Sequence, residues 1–304
     1  MISSRKERLY GVFLVLMASM CWGTTGTLQA LAPEGAPPLT VGSIRITLSA
    51  LILLPWCVWR DGGIGFLRRT SLPALLVGVA GLVGFQFSFF TALKLTGVSI
   101  GTMIAIGASP MFAGALGSLV QREPLSVRWF ISTAVAVFGC ALLVLGGSSG
   151  PMLLNPLGIS LAFAAAFFYA LMGLGFKMQG ATLNDTQTIA VTTGTALIVA
   201  LPVLLSLDSS WIFTRAGLGI SFSLGFATMA LPMSLFSLGL RKIYLRDAYT
   251  ISLAEPLTAC ILSALVLGER LSPLSIGGAA LIFCGILLLP VASEGGGEPE
   301  KNPA

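Results

Sequence analysis

The chain has 304 residues, 55% of them hydrophobic and only 10% charged, with a net charge of +5 and no histidine. Soluble domains carry about 25% charged residues, so this composition excludes an ordinary water-soluble fold and points to lipid as the solvent. Without histidine there is no Ser-His or Cys-His catalysis and no histidine proton relay. A GxxxxGK[ST] phosphate loop for ATP is also missing.

In chain order, residues 1–8 carry Arg5, Lys6 and Arg8 and are expected to form a cytoplasmic N-terminus ahead of an apolar run from Leu9 to Ala30. A charged start, an apolar run and Ala30-Leu31-Ala32 imitate a signal peptide with its cleavage site. The run is too long for a signal h-region, so it is read as helix 1. Breaks at Gly, Pro and charge then predict helices at 39–59, 71–93, 98–121 and 126–146. After an uncharged connection, GGSSGPMLLNP, they predict helices at 156–179, 186–206, 215–238, 248–267 and 273–291. Each is close to the ~20 residues that span a ~30 Å hydrocarbon core. The Gly-, Pro- and charge-rich end, 292–304, reads as a disordered cytoplasmic tail. The five cysteines lie in apolar runs without a CxxC and read as packing residues; no metal site and no cofactor is expected.

The chain spells one stretch twice. Pro110, Glu123 and Gly139 recur as Pro256, Glu269 and Gly285, all displaced by 146 residues. Gly11, Trp22 and Gly26 of helix 1 meet Gly158, Tyr169 and Gly173 of helix 6 at an offset of 147. This predicts a first repeat over 9–146, a linker over 147–155 and a second repeat over 156–291. Five helices per repeat is an odd number, so the second repeat must be inverted relative to the first. The expected fold is all-α and integral to the membrane, with ten transmembrane helices in two inverted five-helix repeats. With the N-terminus inside, most of the 17 Lys and Arg fall on inner segments, among them Arg60, Arg68, Arg69, Arg122, Arg128, Lys177, Arg241, Lys242 and Arg246. The positive-inside rule then places both termini in the cytoplasm. Inverted repeats let secondary transporters make two alternative gates from one module, with substrate held near the midplane.

Ten helices, the duplication, the Trp22-Gly23 pair, Pro110 with Glu123, and Glu255-Pro256 with Glu269 resemble the EamA type of the drug/metabolite transporter superfamily. The resemblance covers about residues 9–291 and is strongest to bacterial YddG-type amino-acid exporters. It implies a bacterial plasma-membrane carrier with a central cavity for an amino acid or related metabolite, with lipid and small molecule as its partners. Nucleic acid is not among the expected partners, and a monomer is.

Glu255 is the most unusual residue, about seven residues into helix 9. Intramembrane carboxylates are costly and default to functional candidates; Glu255 is either a proton-coupling group or a cap for backbone groups freed by Pro256. Pro110 and Pro256 each remove a helical hydrogen bond and read equally as packing kinks or as hinges of a gate. Arg45, about six residues into helix 2, either snorkels, makes structural hydrogen bonds or holds a substrate carboxylate. Its depth differs from that of Glu255 by about 10 Å at 1.5 Å per residue, so the two are not expected to pair. Glu123 and Glu269, followed by Ser126 and Ser272, read as structural turn residues that bind helix-end amides or a nearby Arg. Helical spacing selects Trp22, Thr25 and Gln29 on helix 1, Gln86 and Phe90 on helix 3, Tyr169 and Met172 on helix 6, and Ser252 with Glu255 on helix 9 as cavity candidates. The plain alternative is that these aromatics pack between helices or face lipid. Ala162, Ala166 and Ala170 form a ridge suited to close helix packing.

The expected function is a non-enzymatic carrier that exports small metabolites, amino acids first, by alternating access and down their gradient. Proton-coupled antiport through Glu255 is the alternative. An integral-membrane enzyme would need an interfacial cluster of Asp, Glu or His that the sequence lacks, and a scaffold gains nothing from an inverted duplication.

Overall fold

The computed structural model describes residues 5–31, 37–147, 155–266 and 271–289. Glu269, most of the linker and the C-terminal tail lie outside them. Among the described residues the chain is helical with no strand. The first half holds α1 (Arg5–Ala30), α2 (Pro38–Arg60), α3 (Leu72–Thr96), α4 (Val98–Gly107), α5 (Ser109–Gln121) and α6 (Val127–Gly147). The second holds α7 (Pro156–Gln179), α8 (Asp185–Ser206), α9 (Arg215–Gly225), α10 (Leu231–Leu240), α11 (Leu245–Ile251), α12 (Ala254–Val266) and α13 (Pro273–Leu288). Joined end to end, these give nine described segments long and apolar enough to cross a membrane and one shorter apolar helix, Pro273–Leu288. Leu119, Leu205, Leu265 and Phe213 stand more than three-quarters exposed. In water such a belt would be a liability; in a bilayer it is the lipid face.

Three expected spans are interrupted, each next to a proline. Proline has no N–H for the carbonyl four residues back, and a different donor replaces it each time. Before Pro110 the chain breaks at Ala108, and Ser109 Oγ donates to the Ile106 carbonyl at 2.8 Å. Before Pro256 it breaks at Ser252 and Leu253, and the Glu255 amide donates to the Ser252 carbonyl at 2.9 Å. Before Pro232 a π-helical turn, Phe226–Ala230, intervenes. There Arg45 Nη2 reaches across from α2 to donate to the Thr228 carbonyl at 2.8 Å. This decides between alternatives that the sequence left open, and for Arg45 it selects the structural hydrogen bond. Arg45 does not snorkel: it is 6% exposed and bonded inside the bundle. The carbonyl freed by Pro256 is satisfied by the backbone of Glu255, which leaves its carboxylate for other work.

The packing repeats itself when the two halves are exchanged. The first span packs on the eighth as the sixth does on the third, and on the ninth as the sixth does on the fourth. The second and seventh spans pair with each other, and so do the fifth and tenth. This is the signature of a pseudo-two-fold axis between the repeats. The duplicated glycines show why their positions recur. A Cβ on Gly139 would meet backbone of Gly278 and Ile282 at 2.7 Å; one on Gly285 would meet Ser132 and Ala136 at 2.7 Å. Each glycine faces the duplicates of its twin's neighbours, so α6 and α13 approach closely where only a missing side chain allows it.

All of the described ion pairs lie near the end of the bundle where α1 begins and α7 finishes. There Asn184 closes a capping box with Gln187 at the start of α8. Gln187 Nε2 also donates to Asp61 Oδ2 at 2.5 Å, and Arg60 bonds the same carboxylate at 3.0 Å. The Arg60 hydrogen bond, then that from Gln187, holds the Asp61 carboxyl below its ordinary value. A lowered folded pKa means that this contribution is present above the unfolded pKa and is lost as pH falls through the folded one. The melting-temperature gap between the native chain and Asp61→Asn is therefore expected to narrow as pH drops below about 4. A gap unchanged with pH would show that Asp61 acts without its charge.

Candidate functional site

Two of the three proline breaks lie midway along the fourth and ninth spans, and a cavity of about 480 Å³ reaches the one at Pro256. Its deep wall is Trp22 of α1 with Glu255 and Pro256 of α12; Phe89 and Phe90 of α3 and Thr102 of α4 form its sides. Gly26, Thr27, Val98, Gly147 and Leu271 surround its outer part. These belong to helix ends opposite the ion-paired end of the bundle.

Beneath Trp22 the interior is filled by aromatic rings. Trp22 meets Tyr169 edge-on at 5.8 Å and Phe236 at 5.2 Å; Tyr249 meets Tyr169 at 4.6 Å and Phe236 at 5.4 Å. The Tyr249 hydroxyl donates to the Tyr169 carbonyl, tying α11 to α7. Rings packed edge-to-face combine burial with favourable quadrupole geometry, so this cluster is a firm plug.

Further down, Glu123 locks the ion-paired end. α5 ends with Arg122 in the left-handed region at φ 55°, and the Glu123 amide bonds back to the Gly117 carbonyl at 3.0 Å. That sharp reversal turns the carboxylate into the bundle, where Glu123 is 5% exposed. Its Oε1 accepts from Lys177 Nζ at 2.5 Å and from the Leu245 amide at 2.9 Å. Lys177 Nζ also donates to the Ile243 carbonyl at 3.0 Å. Tyr244, at the N-cap of α11, offers no side-chain cap of its own; a carboxylate from the other repeat satisfies the free helix-end amide. Arg246 lies 4.8 Å over the Tyr244 ring, with Arg8 and Lys177 each 5.9 Å away. Lys177 stood out in sequence only as a topology marker, and Tyr244 not at all.

Of the residues selected from sequence, Trp22, Thr25, Phe90, Glu255 and Pro256 line the cavity. Tyr169 sits behind Trp22. Gln86 is 1% exposed, with its Nε2 3.8 Å from the Met229 sulfur beside the π turn. Ser252 is buried and donates to the Ala248 carbonyl at 2.9 Å, while Met172 is buried where α7 crosses Gly81. Pro110 is buried at the α4–α5 break. Gln29 lies in the last turn of α1, its side chain outside the described residues. Sequence reading missed Phe89, although the FSFF run contains it, because adjacent residues do not reveal which faces inward. It also missed Thr102 on α4 and the plug residues Phe236 and Tyr249.

No ion pair involving Glu255 joins the described residues. Arg45 does not line the cavity; its Nη2 bonds the Thr228 carbonyl, and its buried Nε has no hydrogen-bond partner among the described residues. The described lining is thus mostly apolar and aromatic, with hydroxyl residues Thr25, Thr27, Ser99 and Thr102 and one carboxylate, a composition suited to a small amphipathic molecule.

Comparison with known proteins agrees with this architecture. A family model described as the EamA-like transporter family matches residues 9–145 and again 156–290. A Bacillus subtilis protein called uncharacterized transporter YwfM is 37% identical over 289 residues, covering 94% of this chain and 95% of that protein. The threonine/homoserine exporter RhtA of Escherichia coli K12 is 28% identical, covering 87% and 85%. A solved crystal structure 20% identical to this chain has a TM-score of 0.79 over 91% of this chain and 95% of its own, and shares the fold. The duplicated match and the near-complete coverage agree with the two-repeat bundle: this chain is an integral membrane protein of the EamA-like transporter family.

Proposed function

We propose that this protein exports small metabolites, amino acids and their relatives first, from a bacterial cytoplasm by alternating access, through the cavity bounded by Trp22, Thr25, Phe90 and Glu255. The observation that carries this reading is one-sided access. The cavity reaches the mid-span break at Pro256 from one end, while the aromatic plug and the Glu123 lock fill the other end. The basic residues of the locked end make it the cytoplasmic side by the positive-inside rule, so the carrier is read as facing outward. Pro110 and Pro256 serve as hinges, since discontinuous helices at equivalent positions of inverted repeats are where such carriers bend. Relationship to an exporter of threonine and homoserine supports amino acids as the first substrates to try.

Transport runs down the substrate gradient in this reading. Proton antiport through Glu255 is the second reading, favoured by that carboxylate lining the cavity. Uptake of a labelled amino-acid panel into liposomes, with and without an imposed proton gradient, separates the two. Saturable uptake without a gradient is expected. Uptake that needs the gradient and disappears in Glu255→Gln would establish coupling instead. No uptake of any amino acid by demonstrably folded protein would overturn the amino-acid assignment.

A further inference from the structure

Among the described residues lining the cavity, Glu255 is the one charged side chain; no Lys or Arg joins it. Its carboxylate is not needed by the helix break, because its backbone amide already satisfies the Ser252 carbonyl. Trp22, Phe89 and Phe90 border the same space. A carboxylate among aromatic side chains suits an organic cation: the carboxylate supplies a charge-assisted hydrogen bond, and a ring met face-on adds a cation–π contact. Among the described lining residues a substrate carboxylate finds no such partner. Arg45 of α2 is 6% exposed, outside the lining, and bonded through Nη2 to the Thr228 carbonyl at 2.8 Å. The remaining polar lining includes the Thr25 and Thr102 hydroxyls, which are neutral and accept either sign of partner.

We propose that the cavity selects its substrate by a primary ammonium group held by Glu255, and that a carboxylate is not required, so that simple amines are ligands alongside amino acids. This rests on the transport reading above for its physiological meaning, but the binding site itself does not. The same chemistry predicts discrimination against acids that keep the carbon skeleton and lose the nitrogen. Such molecules would bring a carboxylate toward Glu255 with no cation between them.

The test uses the purified full-length protein and two matched series. The first is phenylalanine, 2-phenylethylamine and 3-phenylpropionate; the second is threonine, 1-amino-2-propanol and 3-hydroxybutyrate. Binding of each compound is measured by calorimetry, and movement of each labelled compound is measured by counterflow in liposomes. In the series that binds, the amine is expected within a few-fold of the amino acid and the deaminated acid about tenfold or more weaker, the size of one hydrogen bond to a charged group. Glu255→Gln is expected to erase most of the difference between amine and acid. The native ladder decides the matter even if that variant does not fold. An acid that binds as well as its amino acid, an amine that fails where its amino acid binds, or no binding in either series would each overturn the proposal. Ammonium-dependent binding with no counterflow of any compound would instead sink the carrier reading and leave the site standing.

Discussion

Glu123→Ala is expected to destabilise the protein by about 3–5 kcal/mol, the cost of removing one partner of a buried, hydrogen-bonded ion pair. The side chains of Glu123 and Lys177 are only 3% and 19% exposed, so solvent replaces little of what is lost. The substitution leaves an ammonium without its carboxylate and the Leu245 amide without its acceptor at the start of α11. Lys177→Met should cost less, because Glu123 keeps the backbone amide. Thermal unfolding of the detergent-solubilised protein measures both. The lock also makes a conformational prediction, since it closes one end while the cavity stands open at the other. In a background retaining only Cys260, which lines the cavity, Glu123→Ala should slow labelling by a membrane-impermeant maleimide several-fold by releasing the opposite conformation. A fall in melting temperature with unchanged labelling would make Glu123 a structural residue and nothing more.

Gly81→Ala carries the other large effect. A Cβ there would stand 2.2 Å from the Met172 amide nitrogen and 2.5 Å from its Cα. Backbone, unlike a side chain, cannot swing aside, so α3 and α7 must separate. One turn away Gly175 and Gly78 approach equally closely, with a Cβ on Gly175 falling 2.4 Å from Gly78 backbone. Overpacking typically costs about 1–3 kcal/mol and sometimes more; with backbone on the receiving side the upper part of that range is expected, and Gly81→Leu should yield no folded protein. Gly277→Ala is the control. It is exposed on α13, nothing lies within 4 Å of its added Cβ, and alanine improves helix propensity by up to about 1 kcal/mol. Gel-filtration yield and melting temperature compare the three. A Gly81→Ala protein as stable as the Gly277→Ala protein would refute the close-packing account.

Much of the architecture is legible in the sequence because lipid imposes a simple code. A span must be apolar for ~20 residues and must bond its own backbone, so helix number and approximate limits follow from composition alone. The duplicated Pro and Gly anchors are legible for the same reason: each meets a backbone requirement that recurs in both repeats. Pro110 and Pro256 mark real helix breaks, Gly139 and Gly285 a real close approach. Helical spacing was a weaker guide to the cavity. It groups Tyr169 with Met172 and Gln86 with Phe90, yet only Phe90 of these four borders the open space, because spacing identifies a shared face and not what lies opposite.

The sequence by itself determined the membrane class, the inverted duplication, the location of two helix breaks and the presence of a carboxylate beside one of them. Each of these depends on local chemistry or on self-comparison, which a single chain contains. Only the tertiary structure decided that Arg45 serves the carbonyl left beside Pro232, 183 residues from Thr228. It alone joined Glu123 to Lys177 and to the start of α11, and left the Glu255 carboxylate facing a cavity with no lysine or arginine among its described lining. Those are contacts between distant helices, set by how the repeats pack around their shared axis, and no period or spacing along the chain encodes which donor will meet which acceptor.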